Sequence, residues 1–157
     1  MFSLLTDPAL LLLLLQNLIY AGDTPRGTPV YINRQYMQAE LKLVVGNIEP
    51  HQFMGFSGGV KSAAVGLTGK KTINQNHALM THPDSRLGEY ENNLARQDVE
   101  AIGKIIGIHF ALNAILNEKK QIVKVVAGDP RAGGTSGKSR SQQYAGLYQL
   151  FRTRAGR

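Results

Sequence analysis

The chain has no cysteine. Disulfides and thiolate metal sites are therefore excluded, and any metal must be held by imidazole, by carboxylate or by a ligand the chain does not itself supply. Acidic residues are missing from one region only. From Arg131 onward there are six basic residues and no acidic one, whereas the first 130 residues hold 12 Lys and Arg against 11 Asp and Glu. The net charge of +7 thus belongs almost wholly to the end of the chain. A nucleic-acid-binding face built into a folded body would not distribute its charge this way, so no nucleic-acid partner is expected. Long apolar runs are also missing. The longest, Ala9–Leu15, contains six consecutive leucines and is closed off by Asp7-Pro8 and Gln16-Asn17. A bilayer span needs about 20 apolar residues. A secretory signal would carry Lys or Arg before the run and a small-x-small site after it, and neither is found. The run reads as a buried helix or a non-native start, no membrane partner is expected, and a cytoplasmic location is anticipated.

What remains is ordinary globular material. The chain has 157 residues, 43% apolar and 18% charged, enough for one domain or part of one. Leu18–Ala21 and Pro29–Asn33 are short apolar or β-branched runs separated by a turn-rich connector, Gly22–Gly27, and Arg34–Glu40 has room for one or two helical turns. Leu41–Val45, closed by Gly46-Asn47, reads as a strand buried on both faces. A loop rich in glycine follows at His51–Gly59, then short helices at Val60–Gly66 and Lys71–Met80. The clearest helix is Ala95–Ile106, with Val99, Ile102, Ile105 and Ile106 on one face and glycine just beyond its end. Ile108–Leu116 and Gln121–Ala127 flank a polar turn and form a hairpin pattern. These elements predict an α/β domain, a layered mixed sheet with flanking helices that ends in a β-hairpin. A leucine-rich start (1–17), a folded body (18–130) and a loose, basic Gly/Ser/Arg-rich tail (131–157) complete the division, with a weak apolar stripe in the tail at Tyr144, Leu147, Leu150 and Phe151.

Three segments carry residues suited to chemistry. Glu49-Pro50-His51 places an imidazole at a strand's end, where a general acid/base works near neutral pH. Gly55-Phe56-Ser57-Gly58-Gly59-Val60-Lys61-Ser62 combines glycines that allow close backbone approach with a lysine that supplies charge or a nucleophilic amine. It approaches a Walker A loop, but Val60 stands where that loop needs glycine before the lysine. It also approaches the Ser-Gly-Gly-x-Asp-Ser loop of ATP pyrophosphatases, with Lys61 in place of the aspartate. In Thr72–His77 a helix would put His77 on the face of Ile73. Each alone also reads as an ordinary loop, core or surface feature. A fourth stretch, Ala132–Ser139, is a relaxed P-loop without the following strand and helix that such a loop serves. His82 and His109 carry no functional argument.

In series, these segments resemble the lactate racemase family. The resemblance runs through Gly22–Val30, Gly46–His51, Gly55–Lys61, Thr72-Ile73 with Asn76-His77, Phe110–Asn113 with Leu116-Asn117, and Val125–Asp129, roughly Leu18 to Pro130. Its most specific part is the series Pro-His, Ser-Gly-Gly-x-Lys, Asn-His. The resemblance implies a nickel-pincer nucleotide cofactor (nickel pyridinium-3,5-bisthiocarboxylic acid mononucleotide). Lys61 would tether it covalently beside Ser57, Gly58 and Gly59, and His77 would be the protein ligand to nickel. His51 would be one of two histidines exchanging the substrate hydroxyl proton. The reaction implied is hydride transfer that interconverts stereoisomers of a small 2-hydroxy acid such as lactate, with cofactor-biosynthesis proteins as partners. Two positions depart from the family: Val65 stands where proline usually precedes glycine, and Leu94 where proline usually follows asparagine. The chain is also shorter than family members and lacks their upstream Asp-x-Thr-Arg phosphate motif, the second histidine and the downstream carboxylate-holding domain. The expectation is therefore a partial domain, inactive alone, with non-native termini. The alternatives are a non-catalytic nucleotide- or phosphate-binding module using Gly55–Ser62 or Ala132–Ser139, and an inert translation product.

Overall fold

The computed structural model describes residues 17–117 and 119–130. The leucine run, the tail stripe and the Ala132–Ser139 loop fall outside the described residues. The chain opens with an antiparallel hairpin, β1 (Leu18–Asp23) and β2 (Pro29–Asn33), in register at Ile19↔Ile32 and Tyr20↔Tyr31. Alternation does the sorting here: Val30 and Ile32 point inward and are fully buried, while Tyr20 and Tyr31 pair on the outer face with ring centroids 5.5 Å apart. Asn33 then ends the strand and caps α1 (Arg34–Gln38), its side-chain oxygen accepting from Tyr36 N at 2.9 Å.

The main sheet has the order β3 (Leu43–Ile48), β6 (Phe110–Leu116), β7 (Ile122–Gly128). β3 and β6 run parallel, and β6 and β7 form the C-terminal hairpin. Between β3 and β6 lie the short pair β4 (Pro50–His51) and β5 (Gly55–Phe56), α2 (Lys61–Ala64), α3 (Lys70–Ala78) with a 3-10 turn at Leu79–Thr81, and α4 (Leu94–Ile106). α4 is bounded by its chemistry. Asn93 accepts from Arg96 N at 2.9 Å at the N-terminus, and Gly107 adopts φ 72° at the C-terminus. It lies between the hairpin and the sheet, so Ala95, Val99, Ile102 and Ile106 join Val30, Ile32, Val44, Val60, Ala63 and Ala111 in one core. The mixed α/β architecture predicted from the sequence is the one observed.

Two departures concern β3. The strand runs on through Gly46-Asn47 to Ile48 instead of stopping there. Glycine is tolerated because α2 packs close: a Cβ at Gly46 would sit 2.9 Å from Ser62 Oγ. The strand is also not buried on both faces. Val44 and Ile48 are covered by the core, whereas Leu43 and Val45 on the other face are exposed. Both family departures are benign. Leu94 occupies the first helical position of α4, where the backbone N–H has no intrahelical partner in any case, and Val65 N donates to Lys61 O at 3.0 Å, a bond proline could not make. No helix among the described residues is long and apolar enough to cross a membrane.

Candidate functional site

His51, Lys61 and His77 come from three elements, β4, α2 and α3, and all three are half-buried. The residue that joins the two histidines is Phe53, which no local pattern singles out. Its ring meets the His51 ring edge-on at 4.9 Å and the His77 ring edge-on at 5.3 Å. Phe53 is itself fixed from α4, because Asn93 Nδ2 donates to its carbonyl at 2.8 Å. His51 Nδ1 accepts from Met54 N at 3.3 Å, which places the neutral ring's proton on Nε2.

Electrostatics tie the three groups together. Burial depresses the pKa of His51, and the positive charges of Lys61, His77 and Arg96 lower it further. Burial does the same to Lys61, with Arg96 as the second cause. His77 is lowered by burial and then by Lys61, while its interaction with the Ile73 backbone pulls weakly the other way. Arg96 is thus a second functional candidate that sequence reading missed. Its side chain is fully buried, donates from Nη1 to Phe56 O at 3.0 Å, and pairs through Nη2 with Glu100 at 2.8 Å. It braces the glycine loop from beneath and adds positive potential to it.

The glycine loop itself is tightly engaged. Gly58 has φ 78°, and a Cβ there would meet Asn47 O at 2.8 Å and Asn113 Oδ1 at 2.9 Å. Gly59 N donates to Asn113 Oδ1 at 3.0 Å. Ser57 Oγ accepts from Glu49 N and donates to Asn47 O, both at 2.9 Å, so its hydroxyl braces the connection leading to His51. Beside this loop an open cleft of about 300 Å³ is lined by Asn47, Ser57, Gly58, Lys61, Ser62, Val65 and Gly66. Among the described residues no three His, Asp or Glu side chains converge as a metal site. His109 instead accepts from Lys42 N at 3.1 Å, and His82 lies near Asp84 at the surface.

His77 owes its place to a buried polar cluster. Asp98 accepts from Thr24 Oγ1 at 2.5 Å, Thr28 Oγ1 at 2.8 Å and Asn76 Nδ2 at 2.9 Å. The Gly22–Val30 string therefore has a physical purpose: its two threonines lock the hairpin turn to α4 and, through Asn76, to the helix carrying His77.

Residues 15–88 match the family described as "Lactate racemase N-terminal domain". The chain belongs to this family. It is 34% identical over 118 residues to the lactate racemase of Lactiplantibacillus plantarum, covering 74% of this chain and 28% of that one. To the lactate racemase of Thermoanaerobacterium thermosaccharolyticum it is 35% identical over 115 residues, covering 72% and 27%. The fold superposes on the solved lactate racemase apoprotein of the latter organism with a TM-score of 0.74 at 31% identity, over 83% of this chain and 30% of that one. A Thermotoga maritima crystal structure, 18% identical, shares the fold at a TM-score of 0.61 over 88% of this chain and 37% of that one. The chain thus spans little more than a quarter of the length of the two racemases.

The depressed histidines make a pH prediction. Unfolded imidazoles take up protons near pH 6.5, and the folded ones only at lower pH, so their contribution to stability is complete above about pH 6.5 and declines as pH falls below it. Unfolding in urea at pH 7.5 and 5.5 should show lower stability at 5.5. The gap should narrow in a His51→Gln/His77→Gln variant; an unchanged gap would assign it to other groups.

Proposed function

We propose that this chain is the cofactor-loading part of a racemase or epimerase that interconverts stereoisomers of a small 2-hydroxy acid such as lactate. The observation that carries the proposal is the convergence of His51, Lys61 and His77 on one electropositive site in a chain whose relatives are lactate racemases. The residues fit a nickel-pincer nucleotide. A single imidazole suffices where the cofactor brings its own sulfur and carbon ligands, and neutral imidazole is a good nickel ligand. Burial holds more of Lys61 as the free amine, the form able to bond covalently to a carboxylate-derived group. The cleft beside Lys61 and the close-packed glycines give a nucleotide room next to that tether.

When bound, the cofactor supplies a hydride acceptor. The chain's own residues then handle protons. With its Nδ1 accepting from Met54 N, neutral His51 presents an Nε2–H that can donate a hydrogen bond to a substrate oxygen. Taking a hydroxyl proton at Nε2 requires the other tautomer and release of the Met54 contact. Phe53 keeps the acid/base ring and the metal-binding ring apart, so the two do not compete for one ion.

The test is intact mass and nickel content after co-expression with the proteins that build the pincer nucleotide. The expected result is a nucleotide-sized addition mapping to Lys61 and absent in Lys61→Ala, with nickel lost in His77→Ala. An unmodified, nickel-free chain would refute cofactor loading, and tight ATP binding dependent on the Gly55–Ser62 loop would favour the phosphate-binding module instead.

A further inference from the structure

Asn113 is a polar residue in a place that suits an apolar one. Strand alternation puts Ala111, Asn113 and Ile115 on the face of β6 that meets the core, and Asn113 is 5% exposed. Asparagine is disfavoured in strands, and burying its amide is costly unless the amide is hydrogen-bonded. The sheet alone gives no reason for it. Its surroundings do. Gly46 is its partner in the parallel register with β3, and a Cβ at Gly46 would lie 3.5 Å from Asn113 Oδ1. A Cβ at Gly58 would lie 2.9 Å from the same oxygen, and Gly59 N donates to it at 3.0 Å. Two glycines thus leave room for the amide, and a third is bonded by it. Gly59 is buried, so its N–H needs an acceptor within the protein.

The bond falls at a sensitive place. Gly58 and Lys61 both line the cleft, and Gly59 stands between them in the chain. α2 begins at Lys61 with no side-chain cap at Val60, and its first turn rests on Gly59 O, which accepts from Ser62 N at 3.3 Å. Gly58 and Gly59 hold φ values of 78° and 60° without side chains that could pack to lock them. Ser57 ties its own end of the loop to Asn47 O and to Glu49 N. The end nearer Lys61 is tied by Asn113.

We infer that Asn113, on the reading of Lys61 as the cofactor tether, is a positioning residue for that lysine: through Gly59 it fixes the turn from which the amine reaches the cleft. Two variants of the full chain test this. Asn113→Leu fills much the same space but has no acceptor, and Asn113→Asp keeps one. In Asn113→Leu the Gly59 amide should exchange with deuterium about tenfold faster or more, as loss of a buried hydrogen bond implies, while Val99 and Ile102 in α4 keep their rates. On co-expression with the proteins that build the pincer nucleotide, the fraction modified at Lys61 should fall by a similar factor. Asn113→Asp should restore most of both. A folded leucine variant that loads like the parent would overturn the inference, and so would lost loading with Gly59 still protected. If the parent itself takes up no nucleotide, the cofactor reading fails by itself, and an amine-reactive succinimidyl ester decides the positioning. Lys61 should then label severalfold faster in Asn113→Leu, relative to Lys104, and revert in Asn113→Asp; an unchanged rate would overturn it. Should the leucine variant not fold, the aspartate variant carries the test. It should protect Gly59 and load or label Lys61 as the parent does, and failure in either would count against Asn113.

Discussion

Replacing Glu100 by alanine should cost about 3–5 kcal/mol, the range for stranding one partner of a buried ion pair. The Glu100 carboxylate takes Arg96 Nε at 3.1 Å, Arg96 Nη2 at 2.8 Å and Tyr90 OH at 2.8 Å on a single oxygen, Oε1. Its removal takes from the buried guanidinium the carboxylate that accepts from both Nε and Nη2. Small domains hold only about 5–15 kcal/mol in total, so the variant should lose a large part of its stability. Glu100→Gln keeps a neutral acceptor and should lie between the two. Chemical denaturation of the three proteins measures this directly. A loss below about 1 kcal/mol for Glu100→Ala, the level of a surface pair, would show that water reaches the pair.

A comparable loss is expected from Gly55→Ala, for a different reason. Gly55 has φ 70°, and a Cβ there would fall 1.8 Å from the Glu89 carbonyl oxygen, so backbone must move. Left-handed backbone costs a non-glycine residue about 1–2 kcal/mol, and forced repacking adds about 1–3 more. Gly107→Ala is the control: its φ is similar at 72°, but nothing lies within 4 Å of the added carbon. The control should therefore pay the conformational part alone, and the difference isolates the clash with Glu89. Because Gly55 pairs with His51 across β4 and β5, Gly55→Ala should also shift the His51 imidazole resonances, which Gly107→Ala should leave in place. Equal losses in the two variants would mean that the 88–92 segment yields freely.

The elements that local patterning controls were legible in the sequence. Both hairpins, α3 and α4 fall within a few residues of their predicted bounds, because alternation and 3.6-residue periodicity record which side of an element meets the core. Ile73 and His77 do share a half-buried face, as their spacing requires. What escaped is what only the tertiary fold decides. Arg96, Asp98 and Glu100 look like the polar side of an amphipathic helix, yet all three are buried, since α4 is enclosed on nearly every side. Their partners, Phe56, Thr24, Thr28 and Tyr90, lie 10 to 74 residues away or in separate loops, beyond any local pattern. Phe53 was invisible for the same reason: an aromatic residue in a loop shows nothing of the two imidazoles it will separate. The reading of β3 as doubly buried failed on one face, because Val44 and Ile48 meet the core whereas Leu43 and Val45 are exposed, and apolar character on both sides does not tell which side is covered.

The parallel pairing of β3 with β6 has a consequence for how the protein comes into being. Leu43 meets Phe110, 67 positions later, and every candidate functional residue from His51 to Arg96 lies on the connection between them. Parallel ladders close long loops before any contact rewards the ordering, so topologies of this kind fold slowly. On a ribosome, nothing up to α4 can be locked against the sheet until β6 has emerged. The imidazoles, the amine and the glycine turn therefore stay unassembled until Phe110–Leu116 has been made. The site is thus completed by β6, a strand that carries none of the three candidate side chains His51, Lys61 and His77.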